Sequence, residues 1–268
     1  MAIHVTRNWA GTTHFQAAKT LLPTSIEEVQ TAIREVDRVR VVGRGHSFNA
    51  IADTDGLLID LSTLDQTIRF DRKHGTVKVP AAMTYETLGP RLHEAGFALE
   101  NMASLPHITV AGACATATHG SGDQVGSLAS AVVGLDWIDG GGEMRQTLAG
   151  DPNFPALAVH LGMMGAVTHL TLRVVPAFEM RQMVHLDLPF ENLLRHFDAI
   201  MSSAYSVNLL TDWRQGVVNH VYRKFKVDEW PADGSFYGAH RMKPGGFDHY
   251  ADSQWQMYPI DTVGAWYE

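Results

Sequence analysis

Two stretches decide how this chain reads: Val41-Val42-Gly43-Arg44-Gly45-His46-Ser47-Phe48-Asn49, and the run from Asn101-Met102-Ala103-Ser104-Leu105-Pro106-His107 through Thr109, Gly112, Cys114, Thr116, Ala117 and Thr118 to His119-Gly120-Ser121-Gly122. In the first, two glycines follow an apolar strand-forming segment, so backbone N–H groups are free to face an anion such as a pyrophosphate. A dinucleotide fingerprint of the Gly-x-Gly-x-x-Gly kind fails, because Phe48 stands where the third glycine belongs. By itself the stretch is equally well a tight turn with an incidental histidine. The second stretch offers backbone donors, several hydroxyls and two histidines with little bulk. Small residues let backbone approach another group closely. That suits a ligand with phosphates and a flat ring system, and it equally suits a buried segment packed on neighbouring strands.

The surroundings of the first stretch alternate helix and strand. Thr24 and Ser25 precede Glu27 and Glu28 at capping-box spacing, and Ile26, Val29, Ile33 and Val36 recur at helical intervals. This predicts a helix leading into a strand over 38–42. Further strands are expected at 57–61, 67–70 and 76–79, and a helix from Thr84 with a C-cap at Gly96. Beyond the second stretch, strands are expected at 132–138 and toward Thr147, around the Gly140-Gly141-Gly142 turn. A helix over 154–161 and a long alternating strand from Val167 follow, closed by Pro176. After Ala177 the chain gains aromatic residues, among them Trp213, Tyr222, Trp230, Tyr237, Tyr250, Trp255, Tyr258, Trp266 and Tyr267. The pattern predicts an α+β or α/β cofactor domain followed by a second region.

Composition narrows the function classes. A formal charge of −8 argues against a general affinity for nucleic acid or acidic membrane surfaces. The single cysteine, Cys114, excludes an internal disulfide framework and a cysteine-cluster metal site. The first residues, Met1 to Trp9, lack the apolar core and cleavage site of a secretory signal, and no apolar run approaches membrane-spanning length. These features predict a cytoplasmic, reduced protein. With 14 histidines in the chain, a histidine within a motif carries little weight by itself. The spacing of His46, His107 and His119 is not that of a helix-borne or zinc-finger site, so no metal is expected.

Taken together, the two stretches resemble the FAD-binding (PCMH-type) domain of the vanillyl-alcohol oxidase superfamily, and within it the alditol and xylitol oxidases. Asn8-Trp9-Ala10-Gly11, Leu161-Gly162-Met163-Met164-Gly165-Ala166-Val167-Thr168, Ala204-Tyr205-Ser206-Val207 and Thr211-Asp212-Trp213-Arg214 extend the likeness along nearly the whole chain. The resemblance implies a two-subdomain, α+β FAD-binding domain over 1–176, then the incomplete start of a mixed α/β substrate domain over 177–268. It implies that His46 holds FAD covalently through the 8α-methyl of the flavin. Val41, Val42, Gly43, Arg44, Gly45 and Ser47 would wrap the pyrophosphate. Ser104, Thr109, Gly112, Thr116, Ala117, Thr118 and His119 match further FAD-contacting positions, and Val167 a backbone contact near the adenine. Ser104 also matches a position that reaches the substrate. The implied reaction oxidises the terminal hydroxyl of an alditol such as xylitol or sorbitol, with O2 as acceptor and hydrogen peroxide as product.

Some relatives carry a second flavin link, to a cysteine in the segment that here holds Cys114; alditol oxidases lack it, and a small buried residue is the simpler reading. Alditol oxidases also continue well beyond the position matching Glu268, in a part that carries further substrate-binding residues. The resemblance therefore implies a chain whose second region exposes apolar surface and which is poorly soluble alone. A sugar-acid-lactone oxidase or dehydrogenase of the same superfamily, or a flavin-binding chain without turnover, are the alternative readings.

Overall fold

Ser25 sets the first helix. Its hydroxyl accepts the N–H of Glu28 at 3.2 Å, and the Glu28 carboxylate returns to the N–H of Thr24 at 2.8 Å. The expected reciprocal cap therefore forms, displaced by one residue from the strict pattern. The computed structural model describes residues 6–231, 234–243 and 260–268; Met1 to Val5 at the N-terminus, and Tyr250, Trp255 and Tyr258, lie outside them. Backbone contacts divide the chain into two compact units. One comprises Met1–Ala95, Leu99–Gly120 and Gly126–Val175, and the other Gly96–Ala98, Ser121–Val125 and Pro176–Glu268.

The first unit opens with β1 (Lys19–Leu21), α1 (Ile26–Glu35), β2 (Val39–Val42) and β3 (Leu57–Asp60). These build a three-stranded parallel sheet in the order β1-β3-β2, with Val41 facing Ile59 across the ladder. Parallel strands need a crossover, and α1 supplies it. Gly56 is required where β3 begins, since a Cβ there would lie 2.1 Å from the Arg38 carbonyl oxygen.

Next in the chain come β4 (Arg69–Asp71), β5 (Thr76–Pro80), α2 (Tyr85–Glu94), the two-residue β6 (Phe97–Ala98), which belongs to the second unit, and α3 (Val110–Ala115). They are followed by β7 (Val132–Ile138), β8 (Met144–Leu148), α4 (Phe154–Ala158), β9 (Ala166–Arg173) and the short β10 (Val175–Pro176), within which the chain passes into the second unit. A second sheet of this unit is antiparallel, in the order β4-β5-β9-β7-β8. Val29 and Ile33 of α1 share one buried cluster with Leu57 and Ile59 of the parallel sheet and Ile138 and Ala166 of the antiparallel one. The unit is thus the α+β, two-part architecture expected from the sequence.

Three details differ from expectation. The helix expected over 154–161 ends at Ala158, because Leu161 and Gly162 turn left-handed at φ 54° and 75°. The strand Lys19–Leu21, too short to show a period, was not anticipated. Nor was α3, whose alanines and glycine carry no amphipathic signature.

The second unit is built on β11 (Glu179–Pro189), followed by α5 (Phe190–Arg195), α6 (Phe197–Met201), β12 (Ser206–Leu210) and β13 (Val217–Lys226). β14 (His240–Arg241) and β15 (Val263–Ala265) complete an antiparallel sheet in which β11 pairs with β13, β14 and β15. Leu188, Leu193, Ile200, Val207, Val218 and Val221 form its main core. Arg223 is buried beneath it, bonded to Ser203 through Oγ at 3.1 Å and the carbonyl at 2.9 Å and lying 4.2 Å from the Phe236 ring; burial pushes its pKa down to about 10. The aromatic residues of this region are not uniformly exposed: Tyr222 and Trp266 are buried, whereas Trp213 is 79% exposed.

Candidate cofactor site

The end of β2, the turn after it, α3 with the turn after it, and the 160–167 segment surround one cavity of about 430 Å³ in the first unit. That volume lies within the range of small-molecule and cofactor pockets, roughly 300–1,000 Å³. No helix follows the glycine turn at 43–45; the chain continues through bends. A dinucleotide site of the Rossmann kind is therefore absent at this turn.

Gly43 and Gly45 serve different needs. A Cβ on Gly43 would lie 2.4 Å from Thr109 Oγ1, so only glycine lets the turn close against the start of α3. Gly45 adopts φ 69°, the left-handed conformation that brings His46 round. The Asn8–Gly11 motif grips this turn from outside. Trp9 N–H donates to the Gly45 carbonyl at 2.7 Å, and buried Asn8 donates through Nδ2 to the Ser47 carbonyl at 3.1 Å.

His46 sits in a cluster of three rings. Its centroid lies 5.1 Å from Trp9, nearly parallel, and 4.4 Å from His107. Burial, reinforced by the neighbouring His107, pushes its pKa down to about 4. Its Nδ1 is buried without a hydrogen-bond partner among the described residues. A neutral imidazole with an unsatisfied ring nitrogen at a cavity wall is competent as a nucleophile or ligand-contacting base.

The second stretch enters the cavity through α3 and its exit. Thr109 caps α3, accepting the Gly112 N–H at 3.3 Å. Thr116 Oγ1 donates back to the Gly112 carbonyl at 3.0 Å. The helix closes with Thr118 N–H on the Ala113 carbonyl and Ala117 N–H on that of Cys114, with Ala117 left-handed at φ 55°. This is a Schellman ending with alanine where glycine is usual. Ala117 itself does not line the cavity; it turns the chain so that Thr118 and His119 do.

The remaining residues singled out in the sequence, Val41, Val42, Gly43, Arg44, Gly45, His46, Ser47, Ser104, Thr109, Gly112, Thr116, Thr118, His119 and Val167, all line this cavity. His107 does not, although it packs on His46. Cys114 faces the interior with Sγ 3.8 Å from Tyr85 Oη, and burial pushes the thiol up to about 12. Sequence reasoning missed several lining residues, chiefly Phe15, Arg40, Ala81 and His160. No short motif marks them, since each becomes adjacent to the turn only through the fold. Among the described residues, no group of three or more His, Cys, Asp or Glu side chains is placed to hold a metal ion. Likewise no helix is long and apolar enough to cross a membrane.

The cavity is walled by a glycine turn, a short helix of small residues and hydroxyls, and a histidine with an unsatisfied ring nitrogen, and residues 17–148 match the FAD binding domain family. The chain is similar to the alditol oxidase of Streptomyces sp. (strain IKD472 / FERM P-14339), 38% identical over 83% of this chain and 54% of that protein. It is also similar to the L-gulono-1,4-lactone dehydrogenase of Mycobacterium tuberculosis (strain ATCC 25618 / H37Rv), 35% identical over 65% of this chain and 42% of that one. Among solved structures, a solvent-stable cholesterol oxidase superposes with a TM-score of 0.72 at 19% identity, covering 84% of this chain and 48% of its own, which speaks for the fold alone. The chain spans about half the length of the curated relatives it matches.

Proposed function

We propose that this chain is the flavin-carrying part of an FAD-dependent alditol oxidase, with residues 1–176 as the FAD-binding domain and 177–268 as the start of the substrate domain. The observation that carries the reading is His46, neutral and with an unsatisfied buried nitrogen, beside a turn only glycine can make. His46 holds the flavin covalently at its 8α position. Val41, Val42, Gly43, Arg44, Gly45 and Ser47 cradle the pyrophosphate through backbone N–H groups, with the Arg44 guanidinium supplying positive charge at the same wall. Thr109, Gly112, Thr116, Thr118, His119 and Val167 line the rest, and Ala117 sets the turn. Ser104, exposed at the cavity, offers its hydroxyl to a substrate O–H.

The chemistry that FAD supplies in such a site is acceptance of a hydride from the carbon of a terminal alcohol, with O2 as final acceptor and hydrogen peroxide as product. The residues around it orient the polyol and exclude water. The test is peroxide release by the purified protein on addition of xylitol, sorbitol and a sugar lactone in parallel. Release with the polyols alone is expected. Turnover of the lactone alone would favour a lactone oxidase or dehydrogenase, the reading to which the likeness to L-gulono-1,4-lactone dehydrogenase lends weight. A protein that keeps its flavin yellow with every substrate is a flavin carrier without turnover.

The state of His46 gives a second test. An unperturbed histidine has a pKa near 6.5, and its neutral form is the nucleophile. With the folded value at about 4, the neutral form persists as pH falls and is lost only below it. Flavin attachment to apoprotein, read as fluorescence retained on the denatured chain, should therefore stay level from pH 8 to about pH 5. A half-maximal point between pH 6 and 7 would mean an ordinary, solvated imidazole.

A further inference from the structure

His160 lies in the turn between α4 and β9 and lines the cavity, yet none of the motifs above assigns it a role. Its Nδ1 is committed: it accepts the N–H of Gly162 at 2.9 Å. An imidazole nitrogen that accepts a backbone N–H carries no proton, so in the neutral ring the proton sits on Nε2. Burial holds the ring neutral, with its pKa down at about 4. Nε2–H has no protein acceptor among the described residues and is not sealed off within the protein.

The turn is fixed from three other directions. Leu161 N–H donates to the Ala115 carbonyl at the end of α3 at 3.0 Å. Arg40 of β2 donates through one terminal nitrogen to the Gly162 carbonyl at 3.1 Å and through the other approaches Met163 Sδ at 3.5 Å. Arg40 also lines the cavity and forms no ion pair with a carboxylate among the described residues. A fixed neutral donor and an uncompensated guanidinium therefore share one wall.

We propose that His160 is a cofactor-binding residue whose Nε2–H donates to the ADP half of FAD, with Arg40 beside it positioning the turn and supplying the complementary charge. The proposal rests on the FAD reading above. The ADP half is assigned because the negative charge of FAD lies on its diphosphate, where a donor and a cation act together.

The two polar functions of His160 can be separated. Asparagine places an acceptor where Nδ1 stands but no donor at Nε2; glutamine places a donor near Nε2 and loses the acceptor. Both are made in a His46→Ala background, so that binding is reversible, and FAD, ADP and riboflavin affinities are measured by fluorescence titration and competition. His160→Asn should weaken FAD and ADP about tenfold, the scale of one charge-assisted hydrogen bond, while riboflavin binding and the thermal midpoint of the apoprotein stay unchanged. His160→Gln should keep ADP affinity within about threefold while lowering that midpoint. Wild-type affinity for FAD and ADP in His160→Asn would overturn the proposal, and so would a loss confined to riboflavin. If His46→Ala with His160 intact binds neither FAD nor ADP, the FAD reading itself falls and the proposal with it.

Discussion

Replacing His46 with alanine should leave no flavin fluorescence on the denatured polypeptide, while native protein still binds FAD reversibly. The expectation follows from the environment of the ring. Trp9 and His107 pack against it at 5.1 and 4.4 Å, which limits its rotation, and its buried Nδ1 has no competing partner. Cys114 offers no substitute anchor. It lies off the cavity, its thiol is held protonated by burial, and the thiolate is the reactive form. Peptide mapping of the wild-type protein should find flavin on the His46 peptide alone. Flavin retained by the denatured His46→Ala chain, or recovered on a Cys114 peptide, would refute the assignment.

The largest effect on stability is expected at Gly165. This glycine, just before β9, adopts φ 135°, and a Cβ there would lie 2.1 Å from the carbonyl oxygen of Ile138 in β7. Neither partner can swing aside, because both belong to the backbone where the antiparallel sheet pairs Ile138 with Ala166. Strained backbone alone costs about 1–3 kcal/mol, and the clash adds to it. Gly165→Ala should thus destabilise the first unit by about 3 kcal/mol or more, a fall in melting midpoint of roughly 10 °C for a domain of this size. Gly140→Ala is the control, since nothing lies within 4 Å of its Cβ and its φ is not left-handed. Equal melting midpoints for the two variants would show that the close approach at Ile138 is relaxed in solution.

Much of this is legible in the amino-acid sequence alone. The helix at 26–35 was signalled by Ser25 and Glu28 and by apolar spacing, both of which act locally. The glycine turn at 43–45 was legible as a turn, but its partner was not. That Gly43 is needed because of Thr109, 66 positions on, is a tertiary fact. Helix α3 was hidden because Ala, Gly, Cys and Val carry neither a polar face nor a strong period, and its alignment is decided by packing and by the Thr109 cap. His160 and Arg40 were invisible for a related reason. Their roles depend on a tautomer and on a backbone carbonyl, neither of which leaves a mark in composition or spacing.

The grip of Asn8 and Trp9 on the Gly45–Ser47 turn bears on how the protein is made. Those contacts span fewer than 40 residues and can close soon after the first strands leave the ribosome. The opposite walls come later, α3 with residue 110 and the His160 turn some 50 residues after that. At about 5–20 residues per second of synthesis, that gap is several seconds or more. For that interval the nascent chain holds the glycine turn and its Asn8–Trp9 grip without the other cavity walls, so loading with flavin is an event of the nearly finished unit.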